Sequence, residues 1–140
     1  MKEKFENPAA TVDLIVPYEN GIVLIQRKRN PFKGYWALPG GFLNCGKENL
    51  EEAAVRELEE ETHIIAKPED LVLFGVNSEP NRDPRGHVIS HQYVVKRYEG
   101  KPRADDDAAN LRIFKTLPKR LAFDHEKILK DYFERYGGLK

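Results

Sequence analysis

Cysteine, net charge and long apolar runs are all scarce in this sequence, and each shortage excludes a class of protein. The single cysteine, Cys45, rules out an internal disulfide and is typical of a reducing compartment. The 23 basic and 23 acidic side chains cancel, so no overall field favours nucleic acid or a membrane surface. No apolar stretch approaches the roughly 20 residues of a membrane span, and the N-terminal residues lack a signal peptide's apolar run. We therefore expect a cytoplasmic protein with no nucleic-acid or membrane partner.

The chain nevertheless contains enough apolar sequence for one globular domain. Hydrophobic residues make up 40% of its 140 residues, and no repeat or linker divides them, so we predict a single domain over 1–140. Runs of branched and aromatic residues predict strands, and helical spacing of apolar residues predicts two helices. The predicted strands span 12–16, 22–25, 71–76, 87–98 and 111–114, and the predicted helices span 50–62 and roughly 125–136. This pattern predicts an α/β (α+β) fold with a mixed sheet between helices.

Local signals indicate where some of these elements begin and turn. Asn20-Gly21 suits the positive φ angles of a tight hairpin turn. Asn49 with Glu52 predicts a capping box at the start of the first helix. Asp124 is the predicted cap of the second helix, and Gly137 its predicted end.

The first predicted helix is rich in acidic residues. Glu57, Glu60 and Glu61 stand at i, i+3 and i+4, which makes their side chains neighbours with Cβ atoms roughly 5–6 Å apart. In a partly enclosed cleft, three such carboxylates need a cation, and oxygen-only ligands favour Mg²⁺ or Mn²⁺. A solvated helix face is the other interpretation, and periodicity alone does not decide between them.

The loop before this helix favours the metal site. The adjacent glycines Gly40 and Gly41 let the backbone approach a ligand or offer a carbonyl to a metal. Glu48, seven further residues and then 56–61 (Arg-Glu-Leu-Glu-Glu-Glu) resemble the Nudix box, residue for residue. Two positions differ from that family pattern. The spacer between Gly41 and Glu48 has six residues where the family has five, and His63 replaces the closing glycine.

The resemblance to Nudix hydrolases implies a Nudix-type α/β/α sandwich that cuts a nucleoside diphosphate linked to another group. It implies that a divalent metal bridges diphosphate oxygens and lowers the pKa of the attacking water. The implied metal ligands are Glu57, Glu60, Glu61 and the Gly40 carbonyl. Glu48 would assist from the start of the helix, and Arg56 would hold a glutamate in place.

Many family members use a further glutamate from a late loop as base or extra ligand. The corresponding residue here is Asn110, and an amide cannot act as a base at neutral pH. Asp105, Asp106 or Asp107 would then substitute, unless a glutamate of the box serves. A solvated loop is the alternative interpretation of the three aspartates.

The chain from about Asn7 to Tyr136 is similar to the ADP-ribose pyrophosphatase branch of the family. Pro80, the segment 78–87 and the segment 121–125 carry that similarity, which implies cleavage of ADP-ribose to AMP and ribose 5-phosphate. Donors for the diphosphate or ribose would come from Arg27, Arg82, Arg85 and His87, and Tyr35, Trp36 or Phe32 could stack on adenine. Solvated arginines and a core tryptophan are the alternatives.

Three other functions remain open at this stage. The enzyme could act on a dinucleoside polyphosphate, NADH, a nucleotide sugar or a nucleoside triphosphate. A non-catalytic, nucleotide-binding regulator on the same fold is favoured by Asn110, whereas the intact Arg56, Glu57, Glu60 and Glu61 oppose it. A structural protein with an acidic surface helix would show no stabilisation by Mg²⁺. Similar enzymes are often homodimers, so a homodimer is also an expectation.

Overall fold

The computed structural model of the protein describes residues 6–104 and 110–137. Within those ranges the chain forms eight strands, two α-helices and a 3₁₀ helix at Pro68–Asp70. In chain order, the strands and helices are β1 Ala9–Ile15, β2 Pro17–Tyr18, β3 Gly21–Gln26, β4 Trp36–Ala37, β5 Gly40–Phe42, α1 Leu50–Thr62, β6 Leu71–Asn77, β7 Val88–Val95, β8 Asn110–Phe114 and α2 His125–Tyr136. No helix in the described ranges is both long and apolar enough to cross a membrane.

Two four-stranded sheets form the centre of the molecule. The first has the order β5-β1-β7-β6, with β1 parallel to β7 and its other pairs antiparallel. In the second sheet, β3 pairs antiparallel with β2, β4 and β8. The predicted mixed sheet is therefore confirmed, and a separate antiparallel sheet accompanies it.

The side chains of β1 alternate between two apolar clusters, one beneath each helix. Val12 and Leu14 join the cluster of α1, to which that helix contributes Ala53, Ala54 and Leu58. Ile15 joins the cluster of α2, which contains Ile128, Leu129 and Tyr132. Because a strand directs successive side chains to opposite faces, β1 links both clusters. The result is the predicted sandwich with a helix on each outer side.

Helix α1 begins and ends as its local sequence indicates. The Asn49 side chain accepts a hydrogen bond from the Glu52 N–H at 2.8 Å, and the Glu52 carboxylate accepts one from the Asn49 N–H at 2.9 Å. The predicted capping box is thus confirmed. At the other end, His63 adopts the left-handed conformation (φ 62°), and its N–H donates to the Glu59 carbonyl. Histidine therefore ends the helix where the motif usually has glycine.

The hairpin between β2 and β3 corrects one prediction. Its positive φ angles lie at Glu19 (46°) and Asn20 (64°), one residue earlier than the Asn20-Gly21 pair suggested. Gly21 instead begins β3, where an added Cβ would lie 2.7 Å from Ile113 Cγ2 and 2.9 Å from the Phe114 carbonyl oxygen. This glycine is needed because β8 approaches closely.

Candidate active site

Two glycines of β5 allow this strand to lie directly against the acidic face of α1. The Gly40 N–H donates a 2.6 Å hydrogen bond to Glu61 Oε1. A Cβ at Gly40 would collide with the Val12 carbonyl oxygen, and a Cβ at Gly41 would lie 2.6 Å from the Glu57 carboxylate. The site therefore depends on glycine at both positions, for steric reasons.

Arg56 links Glu48, before helix α1, to Glu57 within that helix. Its guanidinium binds Glu48 through two hydrogen bonds of 2.9 and 2.7 Å, and it donates to Glu57 Oε1 at 2.8 Å. The Arg56 contact and a backbone N–H from Asn44 lower the pKa of Glu48 to about 2. The longer spacer forms a turn at 45–47 and still leaves Glu48 in contact with Arg56.

Glu57 and Glu61 are two carboxylates held in poorly hydrated surroundings. The side chain of Glu57 is only 13% exposed, and burial raises its pKa despite the contact with Arg56. Burial also raises the pKa of Glu61 to about 8, and the nearby charges of Glu57 and Asp13 add to that rise. A bound cation would stabilise both charged forms, so this oxygen donor pair fits a divalent metal.

Glu60 differs from its two predicted partners. Its side chain is 56% exposed and lies 3.3 Å from Arg56. Among residues 6–104 and 110–137, no three His, Cys, Asp or Glu side chains form a ready metal-binding group. The structure thus brings Glu57 and Glu61 near each other, while Glu60 would have to leave Arg56 to join them.

Three of the predicted substrate-binding residues meet in one pocket beside Glu61. This arginine cluster consists of Arg27, Arg82 and Arg85, and Gly40, Gly41 and Glu61 line the same pocket. Arg82 binds both oxygens of Asp124 at 2.9 and 2.6 Å and also the Val88 carbonyl, so its guanidinium holds the pocket together. Asp124 precedes α2 as predicted, but its side chain makes no capping hydrogen bond.

The other two arginines are less completely engaged. Arg85 binds Asp83 through two hydrogen bonds of 3.0 and 2.8 Å and lies over the Phe42 ring, 4.6 Å from its centroid. Arg27 donates its Nε–H to the Pro31 carbonyl at 2.7 Å, and it has no carboxylate partner within the described residues. The terminal nitrogens of Arg27 can therefore bind an anion in the pocket.

The remaining substrate candidates do not line this pocket. His87 is exposed, and its Nε2 lies 2.9 Å from the Ser78 carbonyl oxygen. Tyr35 packs edge-on against Phe32 at 5.4 Å, and Trp36 packs against Phe114 at 4.8 Å. A role for these rings in binding adenine thus has no support from the pocket geometry.

The late-loop candidates fall at the edge of the described region. Asn110 begins β8, and its side-chain N–H donates to Gln26 Oε1 at 2.6 Å. Asp105, Asp106 and Asp107 lie outside the described residues. The choice of base among the aspartates and the box glutamates therefore stays a prediction.

Sequence reasoning missed a buried pair at the back of the pocket, Asp13 and His125. Asp13 is 7% exposed and accepts a 2.5 Å hydrogen bond from Ser90 Oγ. His125 Nδ1 accepts the Leu38 N–H at 3.1 Å, and burial lowers the pKa of its imidazole. The proton of the neutral ring is therefore on Nε2, which lies 3.6 Å from Asp13 Oδ1. A single acid within an apolar strand was the signal that could have found Asp13.

Comparison with known proteins identifies the family of the chain. The NUDIX domain model matches residues 7–132. The chain belongs to the Nudix family. The ADP-ribose pyrophosphatase of Methanocaldococcus jannaschii is 53% identical to this Nudix chain over 134 residues, which cover 94% of the chain and 77% of the relative. The hydrolase assignment made from the box is confirmed.

Solved Nudix structures share the fold. A MutT/nudix family protein from Enterococcus faecalis superposes with a TM-score of 0.84 at 33% identity, covering 96% of this chain and 64% of that one. A bifunctional NMN adenylyltransferase/ADP ribose pyrophosphatase from Francisella tularensis, complexed with AMP and a Mn ion, gives 0.78 at 33% identity, covering 95% and 43%. Nudix hydrolases generally depend on a divalent metal, so the oxygen-rich donor pair fits its family.

Proposed function

We propose that this Nudix hydrolase cleaves ADP-ribose to AMP and ribose 5-phosphate with Mg²⁺ or Mn²⁺. One observation carries the proposal: a single pocket brings Glu61 together with Arg27 and Arg85. A metal-bound diphosphate needs carboxylates to bind the cation and guanidinium groups to bind the phosphate oxygens. The 53% identical ADP-ribose pyrophosphatase supports the choice of this diphosphate among those that Nudix enzymes take.

The proposed roles follow from the contacts of each side chain. Glu57 and Glu61 would hold the metal with the Gly40 carbonyl, and Glu60 would join them by leaving its exposed contact with Arg56. When bound, the metal neutralises charge on the diphosphate and lowers the pKa of water. Arg56 orients Glu57, because its second contact, with Glu48, immobilises the guanidinium.

The remaining groups shape the substrate side of the pocket. Arg27 would donate hydrogen bonds to a phosphate oxygen through its terminal nitrogens, and Arg85 would bind a phosphate oxygen next to it. Arg82 keeps the loop that carries Asp83 and Arg85 close to Asp124, and thereby maintains the pocket. Because Asn110 cannot take a proton, the base would be a glutamate of the box or one of the aspartates at 105–107.

A panel of substrates tests the proposal. The purified protein is assayed with ADP-ribose, NADH, a diadenosine polyphosphate, a nucleotide sugar and a nucleoside triphosphate, each with Mg²⁺ and with Mn²⁺. Separation of the products by ion-exchange chromatography should show AMP and ribose 5-phosphate, with the highest kcat/KM for ADP-ribose. Equal kcat/KM values for all five substrates, or hydrolysis that Glu61→Gln leaves intact, would overturn it.

A further inference from the structure

Phe123 lines the pocket, and both it and the neighbouring Phe32 have a backbone conformation that bulky side chains rarely adopt. Phe123 has a φ of 52° and Phe32 a φ of 61°. Their rings meet edge to face, with centroids 4.9 Å apart. Left-handed backbone at such residues persists only where the surrounding structure imposes it, and it concentrates at binding and catalytic sites.

Backbone contacts on both sides hold Phe123 in this conformation. The Ala122 N–H donates to the Trp36 carbonyl at 2.8 Å, and the His125 N–H donates to the Ala122 carbonyl at 3.1 Å. One residue after Phe123, the Asp124 carboxylate binds Arg82. The direction of the Phe123 ring is therefore set by the same segment that supports the pocket.

The ring of Phe123 contacts two guanidinium groups of the arginine cluster. Arg27 lies 5.0 Å and Arg85 5.1 Å from the ring centroid. Burial and then the charge of Arg85 lower the pKa of Arg27, so the two like charges are close enough to repel each other. The negative face of an aromatic ring attracts a guanidinium at this distance and so opposes their separation.

We propose that Phe123 is a positioning residue whose ring holds Arg27 and Arg85 together for the two phosphates of the substrate. The idea rests on the proposed function, because it assigns the arginines to a diphosphate. Phe123 itself touches the guanidinium groups, and the arginines bind the phosphate oxygens. A leucine would supply a similar apolar volume, but it has no aromatic face for the cations.

Steady-state kinetics with ADP-ribose test the proposal. We expect Phe123→Leu to raise KM about tenfold and to change kcat less than about twofold, because it weakens binding in the ground state and transition state alike. Phe123→Tyr, which keeps the ring, should stay within about twofold of the wild type in both constants. Phe133→Leu removes a ring that packs on Tyr132 in α2, away from the pocket, and should leave KM unchanged.

A double-mutant cycle separates this role from simple packing. An Arg85→Gln background keeps only the Arg27 contact of the ring, so Phe123→Leu should there raise KM by clearly less than the roughly tenfold expected in the wild type. Isothermal titration of ADP-ribose into Glu61→Gln protein in EDTA gives a readout independent of turnover, and adding Phe123→Leu should weaken Kd about tenfold. An unchanged KM in Phe123→Leu, or full additivity with Arg85→Gln, would overturn the proposal.

Two further outcomes are informative. If Phe123→Leu does not fold, Arg85→Lys replaces it, because lysine keeps the charge without the flat group that lies over the ring. A KM equal to that of the wild type in Arg85→Lys would then overturn the positioning role. A wild-type protein that fails to hydrolyse ADP-ribose would refute the proposed function, whereas an active wild type with unaffected Phe123 variants would refute this inference alone.

Discussion

Raising the pH from 6.5 to 8 in the absence of divalent metal should destabilise this protein, and Glu61→Gln should remove most of that effect. Burial raises the pKa of Glu61 from 4.5 to about 8 in the folded chain. At a pH between these two pKa values, Glu61 is deprotonated in the unfolded chain but still largely protonated in the folded chain. The unfolded state then binds fewer protons, so the free energy of unfolding decreases as the pH rises.

The size of the effect follows from a single proton. Each pH unit in this interval lowers the free energy of unfolding by up to about 1.4 kcal/mol. Because Glu61 itself begins to lose its proton as the pH approaches 8, the loss between pH 6.5 and 8 is about 1.7 kcal/mol. Burial also raises the pKa of Glu57, which acts in the same direction and leaves some residual slope in Glu61→Gln. His125 acts in the opposite direction, because its lowered pKa makes stability rise with pH until the unfolded imidazole, with a pKa of 6.5, has lost its proton. This rise is at most about 0.4 kcal/mol above pH 6.5 and is the same in the variants compared.

Urea unfolding in EDTA, followed by tryptophan fluorescence at several pH values, measures this slope. Glu59→Gln is the matched control, because Glu59 lies on the exposed side of the same helix and should keep the wild-type slope. Adding Mg²⁺ should restore stability at pH 8 in the wild type, but much less in Glu61→Gln. Identical slopes in the wild type, Glu59→Gln and Glu61→Gln would refute the inference that Glu61 is held in a poorly hydrated site.

Substitutions at Glu61, Gly41 and His125 have further defined outcomes. Glu61→Gln should lower kcat on ADP-ribose at least about a hundredfold while Glu59→Gln keeps wild-type kcat, and comparable rates would contradict the assigned role. Gly41→Ala should reduce kcat with little change in melting temperature, because its Cβ would displace the Glu57 carboxylate, and an unaltered kcat would speak against that contact. His125→Gln should be about 1–3 kcal/mol less stable than His125→Asn, since only asparagine can place an acceptor where Nδ1 binds the Leu38 N–H. Equal unfolding midpoints for the two histidine variants would show that this hydrogen bond contributes little.

Local signals in the sequence were sufficient to predict helix α1 and its acidic motif. The Asn49 cap, the apolar spacing and the acidic i, i+3, i+4 pattern all act within a few residues, and the helix has the predicted bounds Leu50–Thr62. The same holds for Arg56 and Glu48, whose contact follows from the motif. Short-range physics therefore determines this part of the site.

The substrate side could not be predicted in the same way. Asp13 and His125 join β1 to α2 across most of the chain, and no local pattern indicates that these two residues are paired. The left-handed conformations of Phe32 and Phe123 oppose the preference of their residue type, so sequence patterns predict the wrong backbone there. The partition of the glutamates likewise depends on a tertiary contact, because Glu61 accepts the Gly40 N–H of β5. Glu60 contacts Arg56 of its own helix and stays exposed.

Crystals soaked with Mn²⁺ and a nonhydrolysable ADP-ribose analogue test the central claim most directly. We expect an anomalous manganese peak in contact with carboxylate oxygens of Glu57 and Glu61, with the diphosphate between that peak and the Arg27 guanidinium. A manganese peak elsewhere, or a bound analogue whose diphosphate lies outside this pocket, would contradict it.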